Sequence, residues 1–205
     1  MRGKDSVVII SVEELERLTK AEPKKPLVDF MESLALKELD LERGARLRAG
    51  RRTVIGWLLD TNVIAALINP NGAPSVKSWA AAQDENQMFI SVLTLAEYDK
   101  GIENLPEDDR NRYRYIAARD ALEERFSQRT LSLSDAGVRH WGAISGRTKL
   151  RTGHTPPVID TMLTATAIEH NLYLVTRNVK DTRFSGAAVF DPWTNDPDQF
   201  PLSRK

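Results

Sequence analysis

The 205-residue sequence predicts an α/β fold with a mainly parallel central sheet. Three observations predict it. Short, continuously apolar runs have the pattern of strands buried on both faces. These runs alternate with longer segments of helical pattern. A chain of this length also buries a core without staples, which suits a sequence with no cysteine.

Along the chain, residues 7–10 form a β-prone run. Ser11 and Glu14 then have capping-box spacing and open a helix to about Lys20. Pro23 and Pro26 break it. A second helix is expected over residues 27–37, with Leu27, Phe30, Met31 and Leu34 on one apolar stripe. These two greasy faces have no core of their own and must pack on something else; an ordinary N-terminal subdomain is the plainest form of that. Arg43, Arg46, Arg48, Arg51 and Arg52 follow within ten positions, punctuated by Gly44 and Gly50 and without apolar period. That stretch reads as an extended arm or linker.

The second part begins with the apolar run 55–59, which ends at Asp60, and a second run covers 88–93. Helical pattern follows from Leu95, and a longer charged helix from about Asp108 to Ser127. Pro156 and Pro157 precede an Ala- and Thr-rich helix to about His170. Residues 172–175 and 187–190 are a third and a fourth strand, and the tail after Pro192 is irregular.

Composition excludes several classes. Without cysteine there are no disulfides, thiol nucleophiles or zinc–cysteine sites, as befits a reducing, cytoplasmic setting. No run of about 18 apolar residues spans a membrane, and residues 1–11 lack a secretory h-region. His140, His154 and His170 lack nucleophile-elbow context, and His140 and His170 read as surface residues. The 29 basic and 29 acidic side chains cancel, against simple electrostatic wrapping of nucleic acid. Yet residues 1–54 carry 12 basic and 10 acidic groups, a net +2, and the remainder carries 17 and 19, a net −2.

Carboxylates near strand ends are the chemical signal, because open parallel sheets bind ligands at the carboxyl ends of their strands. Asp60 follows the first strand, Glu97 the second and Asp181 the third, while Asp160 opens the helix after Pro156-Pro157. Singly, each has an ordinary explanation: a cap, a solvated helix residue, a partner of the helix dipole, a loop residue. Together they bring four acids to one rim, where they repel unless a cation neutralises them. Oxygen-only ligation suits Mg²⁺ or Mn²⁺, and such a site suits phosphodiester hydrolysis.

Four stretches together resemble the successive motifs of PIN-domain toxins of the VapC/FitB type over about residues 55–193. They are Leu58-Leu59-Asp60-Thr61-Asn62-Val63-Ile64; Ser91-Val92-Leu93-Thr94-Leu95-Ala96-Glu97 with Gly101-Ile102; Asp160-Thr161-Met162-Leu163-Thr164-Ala165-Thr166-Ala167; and Leu174-Val175-Thr176-Arg177-Asn178-Val179-Lys180-Asp181. The resemblance implies a PIN-like α/β/α sandwich and a metal-dependent endoribonuclease acting on RNA. It makes Asp60, Glu97 and Asp160 the metal-binding acids, with Asp181 a more variable fourth. Asn62 would orient Asp60, and Thr176 and Asn178 would order the site. Tyr98 stands where an aliphatic residue is usual, and Thr182 where an aromatic residue commonly follows the fourth acid.

Residues 3–48 resemble more loosely the carboxyl-terminal part of a Phd/YefM-type antitoxin, through residues 3–11, Glu13-Glu14-Leu15 and Leu39-Asp40-Leu41-Glu42-Arg43. That implies a neutralising antitoxin segment at 1–48, wrapping the domain and joined by a linker at 49–54 to a ribonuclease domain at 55–205. It also implies no direct DNA binding, the antitoxin's DNA-binding half having no counterpart, and a homodimer. A guanidinium pairs bidentately with carboxylates, so Arg43, Arg46 or Arg48, in cis or from a second copy, is expected to occupy the acidic site. Two other readings stay open: an aspartate-nucleophile phosphatase, which wants a second Asp where Asn62 stands, and a non-catalytic module whose acids bind a structural cation.

Overall fold

The computed structural model describes residues 25–34, 56–182 (for Asp181 the backbone alone) and 184–194. The expectations for residues 7–20, for the arm with Arg43, Arg46 and Arg48, and for the tail from residue 195 lie outside the described residues.

Helix α1 (Leu27–Ser33) precedes β1 (Trp57–Leu59), α2 (Thr61–Ile68) and α3 (Pro74–Ala81). Next come β2 (Met88–Ser91), α4 (Val92–Glu103), α5 (Arg112–Arg125), β3 (Thr130–Leu131) and α6 (Asp135–Thr152). The chain continues through α7 (Val158–Glu169), β4 (Tyr173–Val175), α8 (Val179–Thr182) and β5 (Ala188–Phe190). The five strands form one sheet in the order β3-β2-β1-β4-β5, and every pairing is parallel. The expected fold class is therefore the observed one.

Local chemistry explains where elements begin and end. The second apolar run stops being a strand at Ser91, two residues short of the expected 93. The Ser91 hydroxyl accepts the Leu93 N–H at 3.2 Å, so α4 starts at Val92 rather than Leu95. Pro74 fits the first turn of α3, where its missing N–H has no intrahelical partner to lose. Helix α6 opens on Ser134, whose hydroxyl accepts the Gly137 N–H at 3.0 Å. It ends on Gly153 in the left-handed region at φ 76°.

Strand residues alternate between two cores, one on each face of the sheet. On one face Leu59, Met88, Ile90, Val175 and Phe190 join α2, α3 and α5. On the other Leu58, Leu174 and Val189 pack with Leu163 and Ala167 of α7. Helix α1 belongs to the first face. Leu27 and Met31, one turn apart, are buried there at 5% and 0% exposure against α2 and α3. The apolar stripe read from residues 27–34 thus finds its cover on the main domain.

Candidate active site at the carboxyl edge of the sheet

Strand order reverses at β1: β2 and β3 lie on one side of it, β4 and β5 on the other. A crevice at the carboxyl ends of β1 and β4 is where such sheets bind ligands. The register pairs Leu59 with Val175, so the next residues, Asp60 and Thr176, face each other across that crevice. The Asp60 N–H donates to the Val175 carbonyl at 3.0 Å, extending the pairing by one residue.

Asp60 occupies the N-cap position of α2, but its carboxylate makes no capping bond. The carboxylate is instead held from the side. Asn62 Nδ2 donates to its Oδ2 at 2.6 Å and Thr176 Oγ1 to the same oxygen at 2.5 Å. Asn62 Nδ2 also reaches Thr176 Oγ1 at 3.2 Å, and the Asn178 N–H donates to that hydroxyl at 2.9 Å. Asn178 Nδ2 then donates to Oδ2 of Asp160, in the first turn of α7, at 3.1 Å. Thr61 Oγ1 donates to Glu97 Oε2 across from α4.

Electrostatics couples the three acids. Burial, opposed by the Thr176 bond and reinforced by the charges of Asp160 and Glu97, pushes the Asp60 carboxyl up to about 7. The half-buried Glu97 is also raised, by burial first, against the Thr61 bond, and then by Asp160, with Lys100 pulling the other way. Asp60 is 6% exposed, and its bonds come from neutral donors, the Asn62 and Thr176 side chains and the Thr61 backbone N–H, so its negative charge has no cationic partner among them. That donor chemistry fits a hard divalent ion. Among the described residues no three acidic or histidine side chains close into a ready-made cation cage. Mg²⁺ does not require one, since it keeps several waters and uses one or two carboxylates.

The structure thus brings together Asp60, Glu97, Asp160, Asn62, Thr176 and Asn178. Asp181 lies in α8, just beyond β4, and its side chain is outside the description. Thr61 is a member that sequence reasoning passed over; its signal was its place directly after Asp60, at the first turn of α2. Tyr98 is buried in the core with Ala118 and Leu122 of α5, so the aromatic ring replaces an aliphatic side chain there.

The chain matches the PIN-domain family over residues 57–188. It is 26% identical to the toxin FitB of Neisseria gonorrhoeae over 136 residues, 66% of this chain and 97% of FitB. It is 24% identical to the VapC ribonuclease Y4jK of Sinorhizobium fredii over 136 residues, 66% of this chain and 96% of that one. Among solved structures, FitAB bound to a DNA fragment matches with a TM-score of 0.61 at 25% identity, covering 67% of this chain and 95% of the matched one.

Proposed function

The chain belongs to the PIN-domain family, in its VapC/FitB toxin branch, and from that premise we propose that it is a divalent-cation-dependent endoribonuclease. Its antitoxin-like N-terminal segment holds it inactive. One observation carries the reading. A buried, charge-uncompensated Asp60 stands at the sheet's switch point, with Glu97 and Asp160 close enough to perturb it.

Asp60, Glu97 and Asp160 would hold the cation. When bound, Mg²⁺ or Mn²⁺ supplies an acidified water and neutralises charge on the phosphodiester oxygens. The protein's own part is positional. Bonds from Asn62 and Thr176 converge on Oδ2 of Asp60, that from Thr61 on Oε2 of Glu97, and that from Asn178 on Oδ2 of Asp160. Each carboxylate is thereby fixed in rotation, with no reorganisation left to the moment of reaction. Asn62 is committed to this support through its amide, which suits an orienting residue and not the general acid that an aspartate-nucleophile phosphatase places there.

The proposed inhibition would come from Arg43, Arg46 or Arg48, whose guanidinium would pair with the acids in the cation's place, within one chain or between two copies of a homodimer. The experiment keeps the chain intact, since α1 is part of the core. Arg43→Gln, Arg46→Gln and Arg48→Gln combined should release Mg²⁺- or Mn²⁺-dependent cleavage of RNA. Adding Asp60→Asn should remove it by at least a hundredfold. Cleavage that survives Asp60→Asn, or that ignores chelator, refutes the metal-site assignment. Absence of any release by the three glutamines refutes the inhibitory role of the arm.

A further inference from the structure

The acids do not stand alone on their rim. Along the sheet order, Glu97 follows β2, Asp60 follows β1, Asn178 follows β4 and reaches Asp160 from there, and Trp193 follows β5. A cation accompanies each end of this row, Lys100 by Glu97 and Arg177 by Trp193. Lys100 is one turn on from Glu97 along α4, on the same helix face, and is exposed. Arg177 stands between the two site residues Thr176 and Asn178, and its N–H donates to Asn62 Oδ1 at 3.3 Å.

Alternation explains where Arg177 goes. Thr176 and Asn178 turn their side chains to Asp60 and Asp160. Arg177 turns the other way, and its guanidinium lies over the Trp193 ring, 5.4 Å from the centroid. Trp193 is itself packed against the core, and its carbonyl accepts the Ser75 hydroxyl of α3 at 3.3 Å. Neither Lys100 nor Arg177 makes an ion pair with a described carboxylate, unlike Arg112, Arg119, Arg125 and Arg129. The Arg177 guanidinium is stacked on an indole instead. A stacked guanidinium keeps its in-plane donors available to a planar or tetrahedral anion.

We propose that a single RNA strand crosses this rim perpendicular to the β-strands, with Arg177 on its Trp193 platform and Lys100 holding the phosphates on opposite sides of the one to be cut. The proposal rests on the ribonuclease reading above and adds the direction and the grips of the substrate. Neighbouring strands lie ~4.8 Å apart, so the row from β2 to β5 spans about 15 Å, enough for a few nucleotides. Backbone phosphates are the groups that Arg and Lys contact without reading sequence.

The test uses the full chain carrying Arg43→Gln, Arg46→Gln, Arg48→Gln and Asp60→Asn, which cannot cut and whose arm is disarmed. Its affinity for a fluorescent single-stranded oligoribonucleotide is measured against salt. Each phosphate contact on a single strand contributes about −0.7 to the slope of log K against log salt. Arg177→Gln and Lys100→Gln should each make that slope shallower by this amount and weaken binding about tenfold. Arg177→Lys should restore the slope but not the full affinity, because it loses the planar stack. A guanidinium that only props up Trp193 would reduce stability and leave the slope unchanged. Unchanged slope in Arg177→Gln, with the parent binding RNA, overturns the track and spares the ribonuclease reading. A parent that binds no RNA, together with an inactive Asp60-containing chain, overturns both.

Discussion

Asp60 carries two conflicting requirements. Its position at the switch point needs a compact carboxylate, whereas its burial beside two other acids penalises the charge. The folded carboxyl is pushed up to about 7 from 3.8, so the folded protein holds a proton that the unfolded chain releases above pH ~4. Stability from this group is therefore full below pH 4 and lost as pH rises through 7. Three pKa units correspond to about 4 kcal/mol. Without divalent cation, Asp60→Asn should be the more stable protein at pH 8, by up to about 4 kcal/mol, and the gap should close at pH 4. Urea denaturation at both pH values measures it. Mg²⁺ or Mn²⁺ should stabilise the parent at pH 8 and not the variant, because a ligand stabilises only the state that binds it. A parent that is more stable at pH 8 than at pH 5 without cation would contradict this account.

At the scale of elements, α1 behaves as core and not as appendage. Met31 is fully buried between α2 and α3, so Met31→Ala should cost about 2–5 kcal/mol, read from the urea midpoint. The exposed ion pair of Glu32 with Lys77, at 2.8 Å, should contribute under about 1 kcal/mol. The approach to α1 is held by Glu85. Burial opposes its charge, but Arg125 and Arg129 outweigh that and keep the carboxylate below its usual range. Arg125 also donates to the Lys25 carbonyl at 2.5 Å and stacks over Phe30, 4.8 Å from its centroid. Between α2 and α3 the chain passes so close to itself that a Cβ at Gly72 would sit 1.8 Å from the Ala66 carbonyl oxygen. Gly72→Ala should therefore shift the α2–α3 turn and lower thermal stability by several degrees, visible by calorimetry. An unchanged melting temperature would show that the turn relaxes freely.

For the whole molecule, the parallel order β3-β2-β1-β4-β5 gathers residues separated by more than a hundred positions. Asp60 and Thr176 are 116 apart in sequence and share a hydrogen bond. No helix of the described residues is long and apolar enough to cross a membrane. Removing residues 1–34 strips Leu27 and Met31 from a core that also holds Ile64, Leu67 and Val76. Such a chain should lose at least as much stability as Met31→Ala and expose apolar surface, detectable by dye binding. That is why inhibition by the arm is better tested by substitution than by truncation.

Much of this architecture was legible in the sequence because burial on both faces leaves a periodic mark. The runs at 57–59, 88–91, 173–175 and 188–190 are largely apolar whether or not their neighbours are known, and each of these four strands lies inside a predicted run. The two-residue strand β3 and the eight-residue α3 were too short to show a period. The second run was read too long because Val92 and Leu93 are equally apolar in a strand or in the first turn of a helix. Of the residues gathered at the sheet edge, the sequence pointed to Asp60, Glu97 and Asp160 with Asn62, Thr176 and Asn178, while the Asp181 side chain lies outside the described residues. Sequence reading missed Thr61 and the Arg177–Trp193 stack, since a hydroxyl or an aromatic ring at a loop has no pattern of its own.

By itself, then, the sequence determined the class of sheet, the run of acids at its edge and the apolar stripe of α1, all of them local properties of residue type and spacing. Only the tertiary structure decided that Asp60 is held from the side instead of capping α2, that Glu97 is tied to Thr61, and that Arg177 stacks on Trp193. Those outcomes depend on which face each alternating residue meets and on strand register. Both are set by packing between segments far apart in the chain.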